Sequence, residues 1–318
     1  MLTLAPELFG PPAVDQDTVE FNDQLESQLA HLHPLDQQSP EATRALRRTG
    51  QSVRGPLILS PMAQTRSIPG PAGRLRLRLF VPETIIGVYL HLHGGGWVVG
   101  GADEQDVYLE DMARACEVAV ASVDYRLAPE HPYPAAPDDC EAAAAWLVEH
   151  AAAEFGTDRL IIGGESAGAH LAVATLLRLR DRHAFIGFSG ANLAYGLYDL
   201  ALTPSARHWG QRQLILNTPQ IQWFIRHFAP PDVRDPDVSP LQADLSRMPP
   251  ALFSVGTLDP LLDDSLFMSL RWLAAGNVSE IAVYPGGVHG FNLLALNLAR
   301  RANQKMFEFI RARASHPG

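Results

Sequence analysis

The sequence predicts an α/β protein built on a mostly parallel, doubly wound sheet. Strand-like and helical segments alternate from residue 86 to 180, the signature of consecutive βαβ units. Gly164-Glu165-Ser166-Ala167-Gly168 joins the apolar run 159–163 to the helix-forming run 169–177, so a strand turns one corner into a helix. Further strands are expected near 184–189, 251–256 and 280–284, with helices near 263–275 and 292–313.

Taken in order, residues 1–50 stand apart from this alternation. Phe9, Phe21, Leu25 and Leu29 are scattered among Gln, Asp and Glu. Short helices are expected over 17–32 and 40–49, with Asp17 and Ser39 as N-caps. The segment is either a mobile arm or part of a lid.

Regular strands begin after Gly55. Leu75, Leu77 and Leu79 alternate with Arg74, Arg76 and Arg78, a half-exposed strand of period two. Ile86–Leu92 reads as a buried strand ending at His93-Gly94-Gly95-Gly96-Trp97. A helix over 104–116 and a strand over 118–124 follow. Four prolines make 125–137 an extended loop. Pro137 then suits the first turn of a helix that carries Asp138 and Asp139 near its dipole and stops at Gly156. The alternation breaks over 192–235, where Tyr195, Tyr198, Trp209, Trp223, Phe224 and Phe228 show no strand periodicity. The expectation is a mostly helical insertion over the carboxyl edge of the sheet. Most of its aromatics should pack it onto the core, with one or two lining a ligand pocket.

The 318 residues suffice for one large α/β domain with an insertion. A net charge of −10 argues against a nucleic-acid surface. Cys116 and Cys140 belong to no metal-ligand spacing and read as buried free thiols on helices. No leader pattern and no apolar run of membrane-spanning length are seen, so a soluble cytoplasmic protein without membrane partners is expected. The oligomeric state is open, with a homodimer as one alternative.

The corner around Ser166 has a chemical reading. A serine on a strained strand–helix turn presents its hydroxyl, and glycines two residues to either side permit close approach of strand and helix. A serine hydroxyl needs a base, and the base an orienting acid. In the chain order expected for this corner, acid and then base follow the serine on loops after late strands. Asp259 follows the strand near 251–256, with Asp263 and Asp264 as competitors read as first-turn helix residues. His289 lies in the glycine-flanked loop after the strand near 280–284. Gly94, Gly95 and Gly96 at a strand end, and Ala167 at a helix start, can aim N–H groups at a developing oxyanion.

His93-Gly-Gly-Gly-Trp97, the block from Asp124 to Ala136, the Gly164–Gly168 corner, Asp259-Pro-Leu261 and His289-Gly-Phe291 resemble the hormone-sensitive-lipase-like family of bacterial carboxylesterases. The resemblance covers roughly residues 85–315. It implies an α/β-hydrolase fold with a helical cap: residues 1–50 as an N-terminal cap segment, 51–191 as the first part of the core, 192–235 as the cap insertion and 236–318 as the rest. It implies hydrolysis of short-to-medium acyl esters of small molecules by Ser166, Asp259 and His289, with no metal or organic cofactor. Gly95 is the firmest oxyanion assignment. Trp97, Tyr195, Trp209 and Phe291 are candidate substrate contacts. Relatives often carry Asp where this chain has Glu165 and Gly where it has Ala169; Glu165 is read as structural. His93 and Asp124–Arg126 are read as scaffolding for the oxyanion loop. An amidase or lactonase on the same triad is the alternative, and a non-catalytic receptor the remote one.

Overall fold

The computed structural model describes residues 4–51 and 55–315; the ends of the chain and residues 52–54, including the first residues of the leader reading, lie outside them. Eight strands form one sheet in the order β1-β2-β4-β3-β5-β6-β7-β8. They are β1 (Gln64–Gly70), β2 (Gly73–Phe80), β3 (Gly87–Leu92), β4 (Val118–Asp124), β5 (Leu160–Glu165), β6 (Phe188–Ala194), β7 (Ala251–Leu258) and β8 (Ser279–Val288). β1 and β2 form a hairpin that joins β4 antiparallel, and every pairing beyond β4 is parallel. The hairpin partner β1 is the strand that the sequence did not single out. Its side chains are mostly exposed, so it has little apolar alternation.

The parallel strands are buried on both faces, which explains their near-continuous apolar runs. Val88, Leu90 and Leu92 enter one core with Ile162 of β5, while Tyr89 and Ile161 enter the other. The helices between strands are α3 (Asp106–Cys116), α4 (Ala135–Phe155), α5 (Ala167–His183) and α8 (Leu262–Ala274), and α9 (Asn297–Ser315) follows β8. Helices α4, α5 and α8 cover the first face; α3 and α9 cover the second. Cys116 and Cys140 are free and buried on α3 and α4, as read. In β2 the alternation holds, with Leu75, Leu77 and Leu79 on the first core, but its other face becomes buried toward the end, where Arg78 pairs with Asp106 and Phe80 enters the second core.

Four expectations need correction. The N-terminal helix α1 spans Gln16–Leu29, so Asp17 lies in its first turn rather than at its cap. Its carboxylate accepts instead from Asn297 Nδ2 at 2.8 Å. Helix α2 (Pro40–Arg48) starts as read, with Ser39 Oγ accepting from Ala42 N. The strand expected near 184–189 is β6, which starts at Phe188 and reaches Ala194. The first three residues assigned to the 192–235 insertion therefore belong to the sheet. The insertion is also less helical than expected. It holds α6 (Pro204–His208) and α7 (Thr218–Phe228), and irregular segments and turns make up the rest. Its turns are held by side chains on the core: Asp264 of α8 accepts from Tyr198 N at 2.7 Å, Asp199 N at 3.0 Å and Thr203 Oγ1 at 2.5 Å. With such partners the chain needs no helical bonds to satisfy its backbone.

Candidate active site

Ser166 is the single residue between β5 and α5, with φ 58° and ψ −119°. The flanking glycines are sterically required. A β-carbon on Gly164 would lie 2.0 Å from the Leu92 carbonyl oxygen, and one on Gly168 would lie 1.8 Å from it. Either would push the corner off β3. Ser166 N donates to Ala194 O at 2.9 Å, which ties the corner to β6.

His289 Nε2 lies 2.9 Å from Ser166 Oγ, and its Nδ1 lies 2.9 Å from Asp259 Oδ2. The second Asp259 oxygen accepts from Leu261 N at 2.8 Å, and the carboxylate is buried. The three groups sit at the carboxyl ends of β5, β7 and β8, where parallel strands leave a crevice for ligands. Asp263 and Asp264, the competing acids, instead hold the 195–205 segment.

The loop after β3 passes beside the corner. A β-carbon on Gly94 would meet the Glu165 carbonyl at 2.8 Å, so Gly94 lies against the strand end. Gly95 (φ 123°), Gly96 (φ 57°) and Trp97 (φ 61°) then turn left-handed in succession. The amides of Gly94, Gly95, Gly96 and Ala167 have no backbone acceptor among the described residues. His93, as read, is scaffold: Nδ1 bonds the Gly94 carbonyl at 2.8 Å and the ring stacks on Tyr125, whose hydroxyl donates to His93 O at 2.7 Å. Asp124 and Arg126 pair with Arg76 and Asp139. Glu165 is also internal, bonded through one oxygen to His91 Nε2 at 3.0 Å.

Residues 89–293 match the model of a family described as having the alpha/beta hydrolase fold. The chain belongs to that family. Among similar proteins, the carboxylic ester hydrolase LipN of Mycobacterium tuberculosis is 35% identical over 268 residues, 80% of this chain and 71% of LipN. The acetyl esterase of Salmonella schwarzengrund is 31% identical over 81% of this chain and 82% of its own. Among solved structures, a hyperthermophilic esterase from the archaeon Pyrobaculum calidifontis superposes with a TM-score of 0.85 at 28% identity, covering 93% of this chain and 98% of that one. The resemblance carried by the glycine triplet and the corner is thereby borne out, and the hydrolase shares the enzyme class of these ester hydrolases.

A cavity of about 600 Å³ opens onto Ser166 and His289. Its floor is the Gly94–Trp97 loop with Tyr195. One wall is the N-terminal segment, through Leu29, Leu32, Leu35 and Leu46, and the facing wall is the insertion, through Ile215, Leu216, Ile221 and Phe224. Of the four candidate contacts, Trp97 and Tyr195 line it. Trp209 and Phe291 are not among its described lining. The Trp209 indole turns to Arg212 O, and Phe291 is buried behind Tyr195. The Phe224 ring packs on the Gly94–Trp97 loop, where a β-carbon on Gly96 would lie 2.2 Å from it. Among the other insertion aromatics, Tyr198, Trp223 and Phe228 are buried packing groups, as expected of most of them. The aliphatic wall from residues 29–46 was missed as a pocket; its only sequence signal is a sparse run of leucines in a polar segment.

His93 and His170 flank this floor and are fully buried. His170 Nδ1 accepts from the Trp97 indole and its Nε2 donates to Val238 O at 2.8 Å. Burial lowers both imidazoles to about 4. Between pH 6.5 and 4 the unfolded chain therefore binds protons that the folded one refuses, and stability falls as pH falls through that window. By pH 4 the loss is roughly 3 kcal/mol for each ring. Denaturant midpoints measured from pH 7.5 to 4.5 are expected to drop, less steeply in His170→Gln. Equal slopes for both proteins would show that His170 titrates as if exposed.

Proposed function

We propose that the protein is a serine carboxylesterase that hydrolyses short-to-medium acyl esters of small molecules through an acyl-enzyme. The observation that carries this reading is the unbroken line from Asp259 through His289 to Ser166 at the mouth of a largely aliphatic cavity. Ser166 Oγ attacks the ester carbonyl as His289 Nε2 takes its proton. Asp259 holds the tautomer that leaves Nε2 free and stabilises the imidazolium. The negative oxygen of the tetrahedral adduct takes hydrogen bonds from the N–H groups of Gly95, Gly96 and Ala167, each donor being worth about 3–4 kcal/mol. Gly94 lies in the same loop with an amide that equally has no backbone acceptor among the described residues, and the pair Gly95 and Gly96 is proposed on the left-handed turn that they share. Collapse expels the alcohol with the proton from His289. Water, activated by the same imidazole, then attacks the acyl-serine and releases the acid. Residues 4–50 and 195–235 act as the cap over the cavity.

The test is a series of chromogenic acyl esters from C2 to C16. Turnover is expected to peak at short-to-medium chains and to fall steeply at the long end, where the acyl group outgrows the capped volume. A maximum at C14–C16, or hydrolysis of anilides or lactones ahead of simple esters, would replace this reading with a lipase or with an amidase or lactonase on the same triad.

A further inference from the structure

The loop that carries Gly95 and Gly96 is held from outside by the N-terminal segment. Arg44 of α2 donates Nε to the Val98 carbonyl at 2.8 Å and Nη2 to the Ala128 carbonyl at 2.6 Å. It also forks onto Glu130 at 2.8 and 2.9 Å. Ala128 N in turn donates to Trp97 O at 2.9 Å, and the Gly95 carbonyl takes the amides of Val98 and Val99 at 3.1 and 3.0 Å. One guanidinium thus joins α2, the glycine loop and the proline-rich loop after β4.

Packing gives the same answer. Val98, Val99 and Ala128 bury themselves with Trp223 in a small cluster of their own, apart from the two cores that flank the sheet. Leu35 and Phe224 pack on it, so its cover comes from the N-terminal segment and the insertion. The backbone here is costly to hold. Three successive residues are left-handed, and Trp97 among them has a β-carbon. A non-glycine residue in that region persists only where its surroundings over-determine it. Beside the tethers from His93, Tyr125 and His170, Arg44 and this cluster supply a constraint from outside the sheet.

We infer that Arg44 is a positioning residue: it fixes the oxyanion donors Gly95 and Gly96 by clamping the far side of their loop, and so couples seating of the cap to stabilisation of the transition state. This rests on the esterase reading above. Arginine is required because a planar fork can serve two carbonyls and a carboxylate at once, whereas an ammonium cannot reach all three. Donors aimed at an oxygen that becomes charged only in the tetrahedral state affect kcat and kcat/KM alike and leave KM nearly unchanged.

The experiment compares wild type, Arg44→Gln, Arg44→Lys and Glu130→Gln on one short-chain ester. Turnover is expressed per serine labelled to completion by a fluorophosphonate, so unfolded protein does not count. Arg44→Gln is expected to lose about 10- to 100-fold in kcat, the scale of a displaced catalytic geometry, with KM within about threefold. Arg44→Lys should recover part of the loss. Glu130→Gln, which keeps both carbonyl bonds, should stay within about twofold of wild type. A loss below tenfold, a loss carried by KM, or an equal loss in Glu130→Gln overturns the inference while the esterase reading stands. A wild type that neither turns over esters nor takes the label overturns both.

Discussion

Ser166→Ala is expected to lower kcat/KM on a short-chain ester at least a thousandfold without loss of the fold. The substitution removes one oxygen. Its backbone bonds remain: Ser166 N still reaches Ala194 O, and Ser166 O still takes His170 N. Alanine meets the same left-handed backbone that serine does, so the corner is no more strained than before. What disappears is the nucleophile, and with it the acyl-enzyme. The residual rate reports the oxyanion donors and binding alone, which in comparable triads still exceed water by about 10³–10⁴. Rates of the two proteins on a C4 ester, with melting curves beside them, check this. A mutant that keeps a tenth or more of the activity would mean that water is activated directly by His289 and that no acyl-serine forms.

Asp259→Asn is expected to cost about 10³–10⁴ in kcat, nearly as much, although it changes no volume. The reason is the direction of a hydrogen bond. Asp259 Oδ2 accepts from His289 Nδ1, and Oδ1 accepts from Leu261 N. In the amide, the oxygen keeps the Leu261 bond and the NH₂ faces the imidazole. It can only donate, so Nδ1 must become the acceptor and the proton moves to Nε2. That places an N–H against the Ser166 hydroxyl where a lone pair is needed. Because the defect is a tautomer, activity should partly return at high pH, where hydroxide can bypass the base. A variant within tenfold of wild type at neutral pH would show that Asp259 does not set the tautomer.

Much of this site is legible before any coordinates, for local reasons. The Gly164–Gly168 corner must be written with small residues because a β-carbon at either end strikes the Leu92 carbonyl. Asp259 and His289 could be picked from a chain rich in both residue types because each directly follows a strand, in the order that brings strand ends together on one edge. The scaffold roles of His93 and Asp124–Arg126 were likewise readable, since they sit at strand ends with no substrate-facing pattern. The fourfold choice of pocket residues was less successful. Trp97 and Tyr195 line the cavity. Trp209 and Phe291 are not among its described lining, and aromatic character, which all four share, does not distinguish a lining side chain from a packing one.

The chain by itself determined the doubly wound sheet and the order in which Ser166, Asp259 and His289 come together at its edge, because these depend on local periodicity, tight backbone contacts and which loops end strands. Only the tertiary structure decided what closes over them. The N-terminal segment joins the insertion through Glu26 and Arg212, 186 residues apart, and the oxyanion loop through Arg44. Contacts of that span are made by single exposed or half-exposed side chains on helices and irregular segments, and they leave no period in the sequence. The proposal of Gly95 and Gly96 as donors likewise draws on the folded loop and not on the sequence. Three identical residues carry no difference in composition, and only their dihedral angles and neighbours tell them apart.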